Sequence, residues 1–127
     1  MQHKLSLRPG CYGKFAMIAY EHVKEVGIEY LEIDLPEKTD FLKDLMQDEE
    51  TQFKVGSFQF DIVTDDPKIL ERFKKALETV KAIDYLYIYS SCHTKGDFKK
   101  KHEEGYKVLR QMGEMAESYG KFISMEI

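Results

Sequence analysis

Two carboxylates stand two residues apart, Glu32 and Asp34, within the run 28–35, Ile-Glu-Tyr-Leu-Glu-Ile-Asp-Leu. In an extended chain, alternation puts Tyr30, Glu32 and Asp34 on one face and Leu31, Ile33 and Leu35 on the other. A covered sheet face rejects bare carboxylates, so Glu32 and Asp34 either point into a wet, polar cavity or mark the solvent side of an open sheet. In a cavity, Asp34 would bind substrate and Glu32 could also carry a proton. A second group is Ser90-Ser-Cys-His93, directly after the strand-like run 85–89. Parallel β/α sheets place their ligand sites at the C-terminal ends of strands, so Ser90 and Ser91 become substrate-binding candidates and His93 a ligand or proton carrier. Cys92 and His93 do not make a nucleophile pair, because adjacent strand residues point to opposite faces. The third candidate is Glu126, at the end of the run 122–127, Phe-Ile-Ser-Met-Glu-Ile.

These residues need strands to carry them, and the chain reads as five strand-like runs with helical connections. The first run is 4–7, closed by Arg8-Pro9-Gly10, where proline removes a ladder donor and glycine permits a turn. Phe15, Ile18, Ala19, His22, Val23 and Val26 then recur at helical spacing up to the stop at Gly27, with His22 read as a core or boundary residue. After the second run, which Pro36 ends, Thr39 or Asp40 is placed to cap a short helix holding Phe41, Leu42 and Leu45. The third run covers 54–62, and Asp65-Asp66-Pro67 is a strong helix start for the stripe Ile69, Leu70, Phe73, Ala76, Leu77 and Val80. The fourth run leads to a long helix over about 97–119 whose stripe of Tyr106, Leu109, Met112, Met115, Ala116 and Tyr119 is read as core.

Helical crossovers between strands imply a parallel sheet, hence an α/β fold. Two architectures satisfy this pattern. One is an open, doubly wound sheet of flavodoxin-like type; the other is half of a TIM barrel, since the 127 residues are about half of the roughly 250 such a barrel takes. A single domain over 1–127 is expected, without a linker or a low-complexity segment.

Composition narrows the function classes. Apolar residues make up 43% and charged residues 33%, with no apolar run long enough to span a bilayer, and the N-terminus lacks a secretory pattern, so a cytoplasmic protein without a membrane partner is expected. The formal net charge of −4 disfavours nucleic acid. The one dense basic patch, Lys99-Lys-Lys101-His102 with Lys95 nearby, is followed at once by Glu103 and Glu104 and reads as a solvated helix start. Cys11 and Cys92 form neither a disulfide framework nor a Cys-x-x-Cys pair and are read as reduced, partly buried thiols. Phosphate-loop and dinucleotide signatures are absent, and the loop 8–13 lacks the Ser/Thr pattern of a flavin-phosphate site, so neither nucleotide nor flavin is expected.

Three segments taken in order resemble the xylose-isomerase-like barrel superfamily of sugar and sugar-phosphate isomerases and epimerases, whose relatives include endonuclease IV-like DNA-repair enzymes. They are 5–15, Leu-Ser-Leu-Arg-Pro-Gly-Cys-Tyr-Gly-Lys-Phe; 26–33, Val-Gly-Ile-Glu-Tyr-Leu-Glu-Ile; and Glu104-Gly-Tyr106 through 116–120, Ala-Glu-Ser-Tyr-Gly, into 123–126, Ile-Ser-Met-Glu. The resemblance covers nearly the whole chain and implies the N-terminal half of such a barrel. It implies that Glu126 is a ligand of a catalytic divalent metal (Mn, Mg or Zn), with an aspartate, a histidine and another glutamate on later strands that this sequence does not contain. It also implies a sugar or sugar-phosphate substrate contacted by Glu32, Ser90, Ser91 and His93. The endonuclease-like relatives carry a histidine at the end of the fourth strand, where this chain has Tyr89 or Ser90; that departure lowers the repair reading. Exposed first and fifth strands would invite pairing, so a homodimer is expected. The contrasting reading is a truncated or relic half-barrel with a dimeric binding or structural role.

Overall fold

The computed structural model describes residues 4–36, 54–93 and 98–126. The short helix expected after Thr39 or Asp40 lies outside the described residues, as do Lys95 and the loop around it. The strands are β1 (Ser6–Leu7), β2 (Tyr30–Asp34), β3 (Lys54–Gln59), β4 (Ile62–Val63), β5 (Tyr87–Ser90), β6 (Cys92–His93) and β7 (Ile123–Met125). The α-helices are α1 (Ala16–Glu25), α2 (Ile69–Val80) and α3 (Phe98–Ser118), and a 3-10 segment at Pro9–Phe15 precedes α1.

All the strand pairings are parallel, and the main sheet has the order β1-β2-β3-β5-β7. Its strands therefore lie side by side in chain order. A flavodoxin-like sheet places its second strand outside its first, so this order removes the doubly wound alternative and matches a barrel wall. The expected run 54–62 divides into β3 and β4. Beyond Gln59 and Ser90 the pairing resumes as a separate ladder, Ile62 with Cys92 and Val63 with His93.

One face of the main sheet carries the helices. Leu31, Phe58 and Ile88 are fully buried on it against Phe73, Leu77 and Val80 of α2 and Met112 and Ala116 of α3. Each large apolar side chain hidden in this way stabilises the fold by about 1.5–3 kcal/mol. The start of α2 follows from its leader: the Asp66 side chain accepts the Lys68 N–H at 2.9 Å and also holds Arg72 at 2.9 Å.

Two stripes are only partly covered. On α1, Ala19 and Val23 are buried and Ile18 is exposed; Phe15 and Val26, also exposed, sit just outside the two ends of the helix. On α3, Met112 and Ala116 are buried while Tyr106 is 59% exposed, a correction to its reading as core. Cys11 is a free, exposed thiol rather than a partly buried one. His22 is half-buried and its Nδ1 lies 2.6 Å from the Tyr12 hydroxyl, as befits a boundary histidine.

Between β2 and β3 the register shifts: Leu31 pairs with Val55, yet Glu32 pairs with Ser57. Gly56 is the extra residue. A Cβ there would meet Ser6 Oγ at 3.2 Å and Tyr30 Cβ at 3.4 Å, so the bulge sits where a side chain would crowd its neighbours. Among the described residues no helix is long and apolar enough to cross a membrane.

Candidate functional site

The face opposite the helices is polar toward the C-terminal ends of the strands. Residues in register on neighbouring parallel strands share a face, which assembles two rows: Glu32, Ser57 and Tyr87, and above them Asp34, Gln59, Tyr89 and Ser124. Arg8, two residues beyond Ser6, which pairs with Tyr30, and Glu126, two residues beyond Ser124, extend this face at its two sides.

Short contacts tie these groups together. The Ser57 hydroxyl donates to Glu32 Oε2 at 2.8 Å, which orients a half-buried carboxylate. Tyr89 and Glu126, on adjacent strands, share a side-chain hydrogen bond. That bond is the largest cause holding the Tyr89 hydroxyl above its ordinary pKa, followed by burial and the negative charges of Glu126 and Glu32, with Arg8 opposing. Asp34 is exposed, with Arg8 3.8 Å away in a loose ion pair that contributes little in water. Its charge is also felt by Tyr20, whose pKa is raised first by burial and then by Asp34.

The sequence candidates divide between the two faces. Glu32, Asp34 and Glu126 lie on the polar face. Ser90 does not: it is fully buried, and its hydroxyl lies 2.5 Å from the Phe60 carbonyl and 2.8 Å from that of Ser91, sharing its one proton between them. Its neighbour Tyr89 takes the polar face, so by strand parity Ser90 must turn toward the helices. Ser90 thus fastens β5 to the end of β3 from behind and does not line a pocket. Ser91 is half-buried at the rim, and the backbone of His93 is held in β6 beside Val63. The side chains of Cys92, His93 and residues 98–102, including Lys99, Lys101 and His102, lie outside the described residues.

Ser57, Gln59, Tyr89 and Arg8 belong to this face without having been singled out from the sequence. Alternation in Leu86-Tyr-Ile-Tyr89 and Phe58-Gln-Phe60 is the signal that marks Tyr89 and Gln59 as polar-face residues. Ser57 had no such signal, because its face depends on the bulge.

A structural metal site takes about four donors and a hard cation about six. Among the described residues no three His, Cys, Asp or Glu side chains form a group able to hold a metal ion. The described residues by themselves therefore do not fit one.

Comparison with protein-family models and with curated protein sequences gives no match. Comparison with solved structures does. A sugar phosphate isomerase/epimerase from Parabacteroides distasonis ATCC 8503 superposes with a TM-score of 0.73 at 13% identity, over 96% of this chain and 50% of that one. The IolI protein, solved with a bound zinc atom, superposes with a TM-score of 0.68 at 20% identity, over 97% of this chain and 51% of that one. The fold is that of half a β/α barrel, as superposed on these two structures. The chain spans about half the length of these two structures, and at such identities the likeness speaks for the fold. In this half-barrel the polar face corresponds to the side of the sheet away from the helices, which in a closed barrel is the interior.

Proposed function

We propose that this chain carries part of the active-site wall of a sugar or sugar-phosphate isomerase or epimerase. The observation that supports this reading is the Ser57–Glu32 pair beside the Tyr89–Glu126 pair, on the helix-free face at the C-terminal ends of the strands. By the proton-transfer route, isomerisation and epimerisation both begin with removal of a proton from a carbon next to a carbonyl. A carboxylate takes that proton, the electron pair moves into an enediolate, and the proton returns to another carbon or to the other face. Glu32 suits this role because Ser57 fixes its orientation while leaving it half-exposed; Glu126 and His93 stand as further proton carriers at the rim. Ser91 and Asp34 contact substrate hydroxyls, and Ser90 holds the rim in place.

Deuterium wash-in tests the reading without prior choice of product. The protein, with and without manganese or zinc, is incubated in D2O with a panel of aldoses, ketoses and their phosphates, and exchange of the carbon-bound proton is followed by NMR. Catalysed exchange that Glu32→Gln abolishes is the expected result; no exchange with any sugar overturns it. Metal dependence is a separate question. The described residues do not by themselves fit a metal, so micromolar binding of manganese or zinc in a calorimetric titration, removed by Glu126→Gln, requires donors from a second copy; absence of binding sinks the metal-dependent form.

A second reading, a dimeric binding or structural module, draws on the sheet margins. β1 and β7 end the strand order, and Leu5, Phe122 and Met125 beside them are exposed. Unpaired strand edges with apolar flanks recruit further strands. Pairing between copies would cover them whether or not the assembled protein is an enzyme.

A further inference from the structure

One group on the polar face has incomplete bonding. Gln59 closes β3 in register between Asp34 and Tyr89, at the centre of the upper row. Its side-chain carbonyl oxygen is buried without a hydrogen-bond partner, the only such side-chain atom among the described residues. A buried acceptor left in this state has lost its hydration and recovered nothing, which calls for an explanation in a folded protein.

Three neighbouring donors already point toward carboxylates. The Ser57 proton goes to Glu32, the Tyr89 hydroxyl is engaged with Glu126, and the Arg8 guanidinium lies toward Asp34. The face is rich in acceptors: three carboxylates, Glu32, Asp34 and Glu126, and the Gln59 carbonyl. A phosphate brought to this row would face those three carboxylates and be repelled by them. A neutral chain of hydroxyls brings a donor at every carbon.

We infer that Gln59 is a specificity-determining residue whose side-chain carbonyl accepts a hydrogen bond from a hydroxyl of a polyhydroxylated ligand lying across the row Asp34, Gln59 and Tyr89. The hydroxyl-bearing end of the ligand lies here, and a phosphate, where the substrate has one, lies elsewhere. The inference rests on the sugar reading and sharpens it. Gln59 can turn its amide by side-chain rotation, so an acceptor covered in the free protein becomes available when a ligand replaces its cover.

Xylitol, a neutral linear polyol, is the probe, titrated into wild type, Gln59→Leu and Gln59→Glu with no metal added. Backbone amide shifts of Ser57, Gln59 and Tyr89 are followed by NMR, and thermal midpoints are recorded for all three proteins. Saturable shifts in wild type, binding about tenfold weaker in Gln59→Leu for one lost hydrogen bond, and retention in Gln59→Glu, which keeps an acceptor, are the expected result. The thermal midpoint of Gln59→Leu should equal or exceed that of wild type, since the orphaned acceptor is gone; a marked fall would overturn the premise that this carbonyl is unpaired. Equal binding by wild type and Gln59→Leu overturns the role of Gln59 and leaves the sugar reading standing. No binding of xylitol to wild type also overturns the inference, while the deuterium wash-in judges the sugar reading separately.

Discussion

The hydroxyl of Ser57 on β3 donates a 2.8 Å hydrogen bond to Glu32 Oε2 on β2, across a register shift centred on Gly56. With an unshifted register Gly56 would stand opposite Glu32 and the carboxylate would lack this donor. Ser57→Ala should therefore destabilise the fold by about 1.5–3 kcal/mol, the usual cost of removing a hydrogen bond to a charged group. Urea denaturation at neutral pH measures it. An unchanged midpoint would mean that water replaces Ser57 without loss.

Core packing between sheet and helix predicts a larger effect. Phe73 is fully buried, its ring 5.1 Å from that of Phe60, at the centre of the contact between α2 and the sheet. Phe73→Ala should cost about 3–5 kcal/mol. Equilibrium unfolding should show a lower midpoint with a similar slope; a loss below about 1 kcal/mol would show that the helix repacks freely.

Alkaline pH should expose Tyr85. Its ring is buried edge-on against Phe58, with centroids 4.9 Å apart, and its pKa is raised above 10.0, first by burial and then by the charge of Tyr119. A group whose folded pKa exceeds its unfolded value stabilises fully below the unfolded value, and that stability is lost as pH rises through the folded one. Unfolding free energy should thus begin to fall above about pH 10. In Tyr85→Phe the fall should be shallower, as read by denaturant midpoints between pH 9 and pH 11, values that bracket the ordinary tyrosine range. Parallel pH profiles for the two proteins would assign the loss to other groups.

The sheet margins predict self-association. Light scattering at micromolar concentration should give about twice the 14.9 kDa chain mass. Met125→Lys, which puts a charge on the edge strand β7, should shift the protein toward monomer. A clean monomer in the wild type would count against pairing between copies.

Much of the fold was legible along the chain. The alternation in 28–35 placed Leu31 and Ile33 in the core and Glu32 and Asp34 on the other face, because side chains in one strand have no choice but to alternate. Helical spacing gave α2 and α3 for the same reason, and Asp66 marked where α2 begins through a short-range bond. Alternation also contained the correction for Ser90, since it and Tyr89 cannot share a face.

What adjacency in the sheet decides was not readable from any one strand. Strand order comes from the sum of many pairings, and the sequential order here separates a barrel wall from a doubly wound sheet. The bulge at Gly56 reverses parity partway through β3, so Val55 joins the core while Ser57 turns to Glu32. Tyr89 meets Glu126, and Gln59 comes to lie between Asp34 and Tyr89, only through inter-strand register. Side-chain periodicity is a local property of the backbone, whereas register is a balance of contacts between segments far apart in the chain; the candidate residues came from the first and their partnerships from the second.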